Sequence, residues 1–310
     1  CCIVMLLQQP EVRSLILVAL SVVSSVICCF CTCCPWWSCA VVFVVGMSCA
    51  KAVGMGNRTK SSHLASAKGK TVLITGGNAG IGFATAKELA MIGAEVIIAC
   101  RSEARAKASV EQMKRECGSC SIDLSYRILD LSSLKSVKAF SKSWGSKKLD
   151  VLINNAGIMQ CPYSLSADGY ELQFATNHLG HFLLTNLLLP NISNEGRIVN
   201  LTSMGHLYCS NPVNWRSLDN KETYDDGIAY GNSKLANIYF TKELQRILKK
   251  QNKDILVAAV HPGVVRTDIT RSYNAVVRLF IAPLLFIIAK TPKGGAQTSL
   301  HCATAPNIDG

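Results

Sequence analysis

Residues 71–82 of the chain read TVLITGGNAGIG, and this stretch decides the fold. A short apolar run is followed by a glycine-rich turn and then by apolar residues at helical spacing over residues 81–92. This pattern predicts a buried strand that turns directly into a helix. The glycines would let the backbone approach a pyrophosphate, which the free N–H groups at the start of the helix attract. Because the TGxxxGxG spacing differs from the common GxGxxG fingerprint, a simple strand-to-helix connection is the alternative for this turn taken alone.

From residue 70 onward the chain repeats this alternation of short apolar runs and amphipathic stretches. The predicted strands are residues 71–75, 95–99, 126–129, 151–154, 197–201 and 256–260. The predicted helices are residues 81–92, 103–116, 134–144, 170–189 and 228–249. Near-continuous apolar strands that alternate with helices indicate a parallel sheet covered on both faces. The sequence therefore predicts an α/β fold, a Rossmann-type doubly wound parallel sheet, in one domain over residues 70–310.

The turn after the second predicted strand bears on the choice between NAD and NADP. An acidic residue there would bind a ribose 2′-hydroxyl group, whereas an arginine accommodates a 2′-phosphate. The sequence IIACR (residues 97–101) offers no carboxylate and places Arg101 at the turn. Since arginine binds phosphate in a bidentate fashion, the pattern favours NADP(H) over NAD(H). The alternative is that Arg101 is an ordinary solvated surface residue.

A second constellation combines the YGNSK segment (residues 230–234) with Ser203. The i, i+4 spacing places Tyr230 and Lys234 on one face of a predicted helix. A nearby ammonium stabilises a phenolate and lowers a tyrosine pKa that is normally about 10, so that the hydroxyl can transfer a proton. Ser203 directly follows a predicted strand, and parallel sheets present their chemistry at the carboxyl ends of the strands. Its hydroxyl could therefore hydrogen-bond the oxygen atom of a substrate.

With these motifs in order, the sequence resembles the short-chain dehydrogenase/reductase family over nearly all of residues 70–310. NNAG (residues 154–157) resembles the family turn that follows the fourth strand, and Asp130-Leu131 resembles the position that contacts adenine. Asn177 matches the asparagine that completes a Ser–Tyr–Lys–Asn tetrad through a water molecule. Pro262-Gly263 with Thr267 resembles the segment that closes over the nicotinamide.

The resemblance and the motifs together assign the candidate site. The expected catalytic residues are Asn177, Ser203, Tyr230 and Lys234. The expected cofactor contacts are Gly76, Asn78, Gly80, Ile81, Gly82, Arg101, Asp130, Leu131, Asn155, Ala156, Gly157, Tyr230, Lys234, Pro262, Gly263 and Thr267. No metal site is expected, because His178 and His181 stand three residues apart on a helix without a third ligand at matching spacing.

Within the family the sequence is most similar to the retinol dehydrogenase-like group. The segments that carry this similarity are ACR (99–101), NHLGHFLLT (177–185), SKLAN (233–237) and HPGVV (261–265). Members of the group act on lipophilic substrates such as retinoids, and many are attached to membranes. Two departures are visible: Thr202-Ser203 stands where two serines are usual, and the chain ends about where the family begins its last strand. The second departure predicts an incomplete sheet and leaves pocket closure and pairing into a homo-oligomer open.

Residues 1–60 form a hydrophobic segment of different character. Residues 14–50 contain no charged side chain, and the twenty residues 15–34 suffice to cross a bilayer as a helix. Basic residues follow before the first predicted strand, so the positive-inside tendency places the catalytic domain in the cytosol, on the endoplasmic reticulum or another intracellular membrane. The alternative is an artefact of gene prediction, because the chain begins with Cys1. A second apolar run, residues 279–288, is too short to span. It follows the segment that resembles the family's cofactor-closing segment, where the family places its substrate lid, so a lid is expected; ordinary core packing is the alternative.

The remaining composition excludes some classes of function. The net charge of +12 would suit nucleic acid, an anionic membrane or a phosphate-rich cofactor, but no arginine stripe with interleaved aromatics indicates nucleic acid. The expected function is NADP-dependent interconversion of a lipophilic alcohol and its aldehyde or ketone. The alternatives are a catalytically idle nucleotide-binding or scaffold protein of the same fold, or an inert truncated fragment.

Overall fold

The computed structural model describes residues 59, 61–118, 122–209, 213, 215, 218, 220–267, 289–306 and 308. These residues belong to two compact units. The larger unit contains residues 59–262 together with 267 and 296–308. The smaller unit contains residues 263–266 and 289–295, in which Val265 and Lys290 form an isolated parallel bridge. The predicted anchor over residues 14–50 and the predicted lid over residues 279–288 lie outside the described residues.

The larger unit is built on a six-stranded parallel sheet. Its strands are β1 (Thr71–Thr75), β2 (Glu95–Cys100), β3 (Leu124–Ile128), β4 (Leu149–Asn154), β5 (Ile192–Leu201) and β6 (Leu256–Val260). They lie in the order β3-β2-β1-β4-β5-β6, and every neighbouring pair is parallel. This is the order of a doubly wound fold, in which the direction of winding reverses between β1 and β4. The predicted fold class is confirmed.

The helices follow the strands as the apolar spacing predicts. They are α1 (Ser61–Ala65), α2 (Gly80–Met91), α3 (Glu103–Glu116), α4 (Leu134–Trp144), α5 (Leu172–Phe174), α6 (Gly180–Leu188), α7 (Asp226–Lys250) and α8 (Pro292–Thr304). A single π turn, Ala175–Leu179, joins α5 to α6. Side-chain caps start several of them: Asp225, for example, accepts a hydrogen bond from the backbone N–H of Ile228 at 2.7 Å.

Two apolar layers cover the two faces of the sheet. In β1, Val72 and Ile74 pack in one layer and Leu73 packs in the other, because successive strand side chains point to opposite faces. The first layer contains α2, α3 and α8, represented by Leu89, Met113 and Leu300. The second layer contains α4, α6 and α7, represented by Phe140, Leu184 and Leu248. Burial on both faces explains why the strands are continuously apolar.

Three elements differ from the sequence-based expectation. Strand β5 begins at Ile192 rather than near residue 197, since Ile192 pairs with Leu149 across an irregularity in the register. The helix predicted over residues 170–189 is interrupted by the π turn. Helix α8 was not predicted, because its sequence PKGGAQTSLHCAT has only a weak apolar stripe. In the part of the chain that the structure describes, no helix combines the length and apolar character needed to cross a bilayer.

Candidate functional site

A cleft of about 270 Å³ opens at the carboxyl ends of the strands, where the winding of the sheet reverses. Of the sixteen expected cofactor residues, fifteen line it and Gly263 does not. The fifteen are Gly76, Asn78, Gly80, Ile81, Gly82, Arg101, Asp130, Leu131, Asn155, Ala156, Gly157, Tyr230, Lys234, Pro262 and Thr267. Gly263 belongs to the smaller unit and has a left-handed φ of 85°. The fold therefore brings together in one cleft predicted residues that lie as far apart in sequence as Gly76 and Thr267.

The turn after β1 needs glycine at two points. Gly80 has a left-handed φ of 56°, a conformation that side chains with a Cβ atom rarely adopt. A Cβ atom on Gly82 would lie 2.5 Å from Asn155 Nδ2 and closer still to the carbonyl oxygen of Gly76. The start of α2 therefore packs directly against the turns that follow β1 and β4. Its free N–H groups face the cleft, where they suit a pyrophosphate.

The buried hydroxyl of Thr75 joins the ends of β1 and β4. Its Oγ1 accepts hydrogen bonds from the backbone N–H groups of Asn155 at 2.9 Å and Ala156 at 3.0 Å. In return, Asn155 Nδ2 donates to the carbonyl oxygens of Thr75 at 2.8 Å and Gly76 at 3.3 Å. These bonds hold the NNAG turn against the glycine turn, and both turns line the cleft.

The end of the cleft beside β2 and β3 is basic. Arg101 and Arg105 both line it and are exposed, and Arg105 is on the first turn of α3. The carboxylate of Glu103 accepts a hydrogen bond from Tyr126 at 3.3 Å and is not among the lining residues. Asp130 is the only acidic residue in the described lining, and its Oδ1 accepts two hydrogen bonds from Ser132. The lining at this end therefore carries two guanidinium groups and one carboxylate, that of Asp130.

Tyr230 and Lys234 lie at the opposite end of the cleft, one turn apart on α7. Lys234 Nζ is 5.6 Å from the centroid of the Tyr230 ring and donates to the Leu201 carbonyl oxygen at 3.2 Å. Both residues are buried, with 8% of Tyr230 and 4% of Lys234 exposed. Burial lowers the pKa of Lys234 to about 8 because the ammonium is removed from water. The lysine is thus a buried cation beside the phenol ring.

Ser203 lies just beyond β5 and caps a short 3₁₀ helix, Met204–Tyr208. Its Oγ accepts a hydrogen bond from the backbone N–H of Gly205 at 3.1 Å. A Cβ atom on Gly205 would lie 3.5 Å from this Oγ and 3.0 Å from Tyr230 Cε1. The Ser203 hydroxyl and the Tyr230 ring therefore flank the same small residue, although Ser203 itself is not among the lining residues.

Asn177 is fully buried in the π turn between α5 and α6. Its amide holds the backbone of Ile158 at both polar atoms: Oδ1 accepts from the N–H at 2.9 Å, and Nδ2 donates to the carbonyl at 2.9 Å. Nδ2 also donates to Ser233 Oγ at 3.0 Å. Asn177 thus lies behind the cleft and fixes Ile158, which lines it. π turns of this kind are frequent at functional sites.

Several lining residues were not predicted. They are Ala79, Ala99, Cys100, Ser102, Arg105, Leu129, Ile158, Thr176, Leu201 and Thr202. Arg105 could have been found, because it follows Arg101 at a spacing of four at the start of a predicted helix. The others are placed by the neighbouring backbone rather than by any motif of their own.

The two helix histidines have ordinary partners. His178 Nδ1 is 3.0 Å from Asn237 Oδ1, and the ring packs against Phe174 and Phe182. Burial lowers the pKa of His178. His181 is bonded to Thr75 and to the Asn177 carbonyl oxygen. Across the described ranges, no group of three or more His, Cys, Asp or Glu residues is arranged to hold a metal ion.

The comparisons with known proteins agree with this geometry. The family model described as short chain dehydrogenase matches residues 70–277. Human retinol dehydrogenase 14 is 46% identical over 261 residues, which cover 78% of this chain and 76% of the relative. Mouse retinol dehydrogenase 11 is 41% identical over 273 residues, which cover 87% of this chain and 83% of the relative.

Solved structures share the fold. An uncharacterised protein from Mycobacterium paratuberculosis is 37% identical, with a TM-score of 0.65 over 82% of this chain and 83% of that one. A 3-oxoacyl-(acyl-carrier-protein) reductase from Agrobacterium tumefaciens, solved with NADP bound, has a TM-score of 0.62 at 20% identity, over 79% of this chain and 92% of that one. The family match and the identities establish that this chain belongs to the short-chain dehydrogenase/reductase family and is an NAD(P)-dependent oxidoreductase that acts on alcohol donors.

Proposed function

We propose that the chain interconverts a lipophilic alcohol and its aldehyde or ketone with NADP(H), using Tyr230, Lys234, Ser203 and Asn177. The observation that carries this proposal is that Tyr230 and Lys234 line one end of a cleft whose other end is basic, while Ser203 lies beside the Tyr230 ring. The names of the relatives, retinol dehydrogenases 14 and 11, support a lipophilic substrate. The glycines fit a dinucleotide site because they let the start of α2 pack against the turns after β1 and β4, where a Cβ atom on Gly82 would collide with Gly76 and Asn155.

Tyr230 is the proposed general acid and base. In the direction of reduction its hydroxyl donates a proton to the carbonyl oxygen, and in oxidation its phenolate accepts the proton of the alcohol. When bound, the nicotinamide would supply a hydride to the carbonyl carbon in reduction, or accept a hydride from the alcohol carbon in oxidation. The buried cation of Lys234, 5.6 Å from the Tyr230 ring centroid, favours the phenolate, because opposite charges attract strongly at a site removed from water. Ser203 Oγ is proposed to donate to the substrate oxygen and hold it beside Tyr230.

Asn177 is proposed to position a water molecule that relays the proton to solvent. A Cβ atom on Gly157 would lie 3.3 Å from Asn177 Oδ1 and 3.5 Å from Lys234 Nζ. Because glycine has no side chain, this space stays open for a bridging water. Asn177 Oδ1 accepts one hydrogen bond, from Ile158, and so keeps a second lone pair for that water.

The preference for NADP(H) is proposed from the basic end of the cleft. Arg101 and Arg105 can both reach a 2′-phosphate, and bidentate guanidinium–phosphate pairs are among the strong hydrogen bonds. An NAD-specific site would need a carboxylate beside the ribose hydroxyls. Glu103, which follows the lining residue Ser102, is itself outside the lining and accepts a hydrogen bond from Tyr126.

We also propose attachment to an intracellular membrane, with the catalytic domain in the cytosol. This proposal depends on the uncharged residues 14–50, on the basic residues after them and on the apolar residues 279–288 as a lid. It fits a substrate that dissolves in bilayers. A homo-oligomer is compatible with this arrangement. Alkaline carbonate extraction tests the attachment, since a chain that washes off at high pH is not anchored.

Turnover of a panel of carbonyls tests the enzymatic proposal. The full chain is assayed with retinoid, steroid and isoprenoid aldehydes or ketones, with NADPH and with NADH, next to the Tyr230→Phe variant. We expect turnover of at least one member, faster with NADPH, that is lost in the variant. Cofactor binding without any turnover would instead identify an idle nucleotide-binding protein, and absence of both would identify an inert fragment.

A further inference from the structure

We propose that His181 is a positioning residue for catalysis: held in one tautomer, it sets the carbonyl oxygen of Asn177 and ties it to the turn that binds the cofactor. This inference rests on the proposed catalytic role of Asn177. It concerns a residue that does not line the cleft and takes no part in the proposed proton transfer. Only 3% of His181 is exposed, so its bonds to neighbouring groups are not shared with bulk water.

The hydrogen bonds of Thr75 assign the tautomer of His181. Thr75 Oγ1 already accepts the N–H groups of Asn155 and Ala156, and these two bonds use both lone pairs of the hydroxyl. The hydroxyl proton must therefore be donated. His181 Nε2 lies 2.8 Å away, whereas the carbonyl oxygen of Ile153 lies 3.5 Å away. His181 Nε2 is thus the acceptor and carries no proton.

The other ring nitrogen of His181 must then carry the proton. Nδ1 lies 3.0 Å from the carbonyl oxygen of Asn177, one turn earlier along the helix, and donates to it. Asn237 Nδ2 donates to the same oxygen at 3.2 Å. Two donors from different helices therefore hold this carbonyl, which belongs to the π turn. The position of the Asn177 side chain follows from that of its backbone.

A second proton on the ring would break this arrangement. An Nε2–H group would face the Thr75 hydroxyl, whose lone pairs are already used. Complete burial and, to a smaller extent, the Lys234 and His178 charges lower the pKa of His181 to about 3, so the ring stays neutral at physiological pH. His181 is therefore a fixed connection rather than an ionisable switch.

A continuous series of hydrogen bonds runs from the NNAG turn, which is proposed to bind the cofactor, to Asn177 and its partners. It begins at the Asn155 and Ala156 N–H groups, passes through Thr75 and His181 to the Asn177 carbonyl, and continues through the Asn177 amide to Ile158 and Ser233. Loss of the histidine would let the π turn relax and would displace Oδ1.

Two substitutions of His181 separate positioning from packing. His181→Phe keeps a ring but removes both hydrogen bonds, and we expect kcat to fall on the order of 10- to 100-fold, as for losses of groups that orient a reacting residue. The Kd for NADPH should stay within about threefold, since no cleft-lining group is changed. His181→Asn retains a donor near the position of Nδ1 and should recover most of kcat. Phe182→Leu, at the exposed neighbouring position, is the control.

Two measurements do not depend on turnover. Nitrogen-15 spectra of the wild-type chain should show the His181 ring protonated at Nδ1 only, without titration between about pH 5 and 9. The backbone N–H of Ile158 donates a hydrogen bond to Asn177 Oδ1. Its hydrogen exchange should accelerate in His181→Phe and stay slow in His181→Asn. If His181→Phe does not fold, the nitrogen-15 spectra of the wild type and the kcat of His181→Asn still test the proposal.

The inference is overturned by a ring protonated at Nε2, by titration near neutral pH, or by unchanged kcat and Ile158 exchange in a folded His181→Phe variant. Failure of the proposed function has a different signature. In that case the wild-type chain shows no turnover, while the nitrogen-15 and exchange results still report whether His181 holds Asn177.

Discussion

The two ends of the cleft are built in opposite ways. The proposed cofactor end consists largely of backbone from short continuous segments, the turns at residues 75–82 and 154–157, with glycines where α2 and the NNAG turn meet. The proposed catalytic end has the side chains of Tyr230 and Lys234 in its lining, and Ser203 and Asn177 lie beside it. Backbone N–H groups suit a ligand of fixed shape, whereas proton transfer needs individual titratable groups at defined positions.

This difference predicts that substitutions at the two ends change different kinetic constants. Changes at the cofactor end should alter cofactor affinity, because its groups contact the ligand equally in ground and transition states. Changes at the catalytic end should alter kcat, because its groups act on charge that develops during the reaction. The four predictions below test this separation, beginning with the largest effect.

Replacing Tyr230 with Phe should reduce kcat about 10²- to 10⁴-fold, because only the proton-transferring hydroxyl is lost. The Kd for NADPH, measured by fluorescence titration, should change little, since the ring and Lys234 remain. Tyr239→Phe, further along α7 and partly exposed, is the matched control and should keep its activity. If Tyr230→Phe retains more than about a tenth of the wild-type kcat, Tyr230 is not the general acid.

At the opposite end, Arg101→Ala should weaken NADP(H) about 10- to 100-fold, the loss of roughly 1.5–3 kcal/mol from one charge-assisted pair. NAD(H) affinity should hardly change, because NAD(H) lacks the 2′-phosphate. Arg105→Ala should show the same selectivity with a smaller effect if both arginines contribute. Equal weakening of both cofactors by Arg101→Ala would show that the arginine is a surface residue without a role in selection.

Gly82→Ala tests whether the cofactor end depends on close backbone packing. The added methyl group would overlap the Gly76 carbonyl and Asn155 Nδ2, so we expect a loss of about 1–3 kcal/mol in unfolding free energy. Urea denaturation measures this loss, and NADPH titration measures the accompanying drop in affinity. In Gly294→Ala, the new methyl group would meet only ordinary contacts at 3.5 Å, so this control should be at least as stable as the wild type. Similar stability of Gly82→Ala would mean that the turn tolerates a side chain.

The smallest predicted effect concerns the buried charge of Lys234. Its folded pKa of about 8 lies below the ordinary lysine pKa of 10.5, so the unfolded chain binds the proton more tightly. Protonated Lys234 therefore destabilises the fold below pH 8, and this penalty is relieved as the pH rises from about 8 to about 10.5. The unfolding free energy of the cofactor-free wild type, relative to Lys234→Met, should rise by about 1 kcal/mol between pH 7.5 and 9. If the difference in unfolding free energy between the wild type and Lys234→Met does not change with pH, the Lys234 ammonium is in contact with water.

The sequence predicted the cofactor end more fully than the catalytic end. Arg101 and the glycines belong to short motifs whose geometry is local, so their place follows once the strand before each turn is recognised. Arg105 was missed although its spacing from Arg101 was visible. The tetrad role of Asn177 follows only from family resemblance, whereas Ser203 also follows from its place after a predicted strand, and neither residue is in the lining of the cleft.

Other features could not be predicted because they arise from contacts between distant segments. The π turn at Asn177 interrupts a stretch whose apolar spacing is that of a regular helix, and the bonds from His181 and Asn237 hold its carbonyl. Strand β5 extends back to Ile192 through polar residues, since pairing with Leu149 overrides their low strand propensity. Asn237 and Leu149 are far in sequence from Asn177 and Ile192, so no local sequence pattern predicts these contacts.

The sequence by itself determined the alternation of strands and helices, the parallel sheet and the glycine turn, because apolar periodicity and backbone sterics act between neighbouring residues. Tertiary structure alone decided which hydroxyl, amide and imidazole groups share hydrogen bonds. His181 illustrates this division. As a residue on a helix it is equally compatible with packing, metal binding or titration, and only the Thr75 hydroxyl, more than a hundred positions away, assigns its tautomer. Buried polar groups are hydrogen-bonded in folded proteins, and the tertiary structure determines which groups are paired.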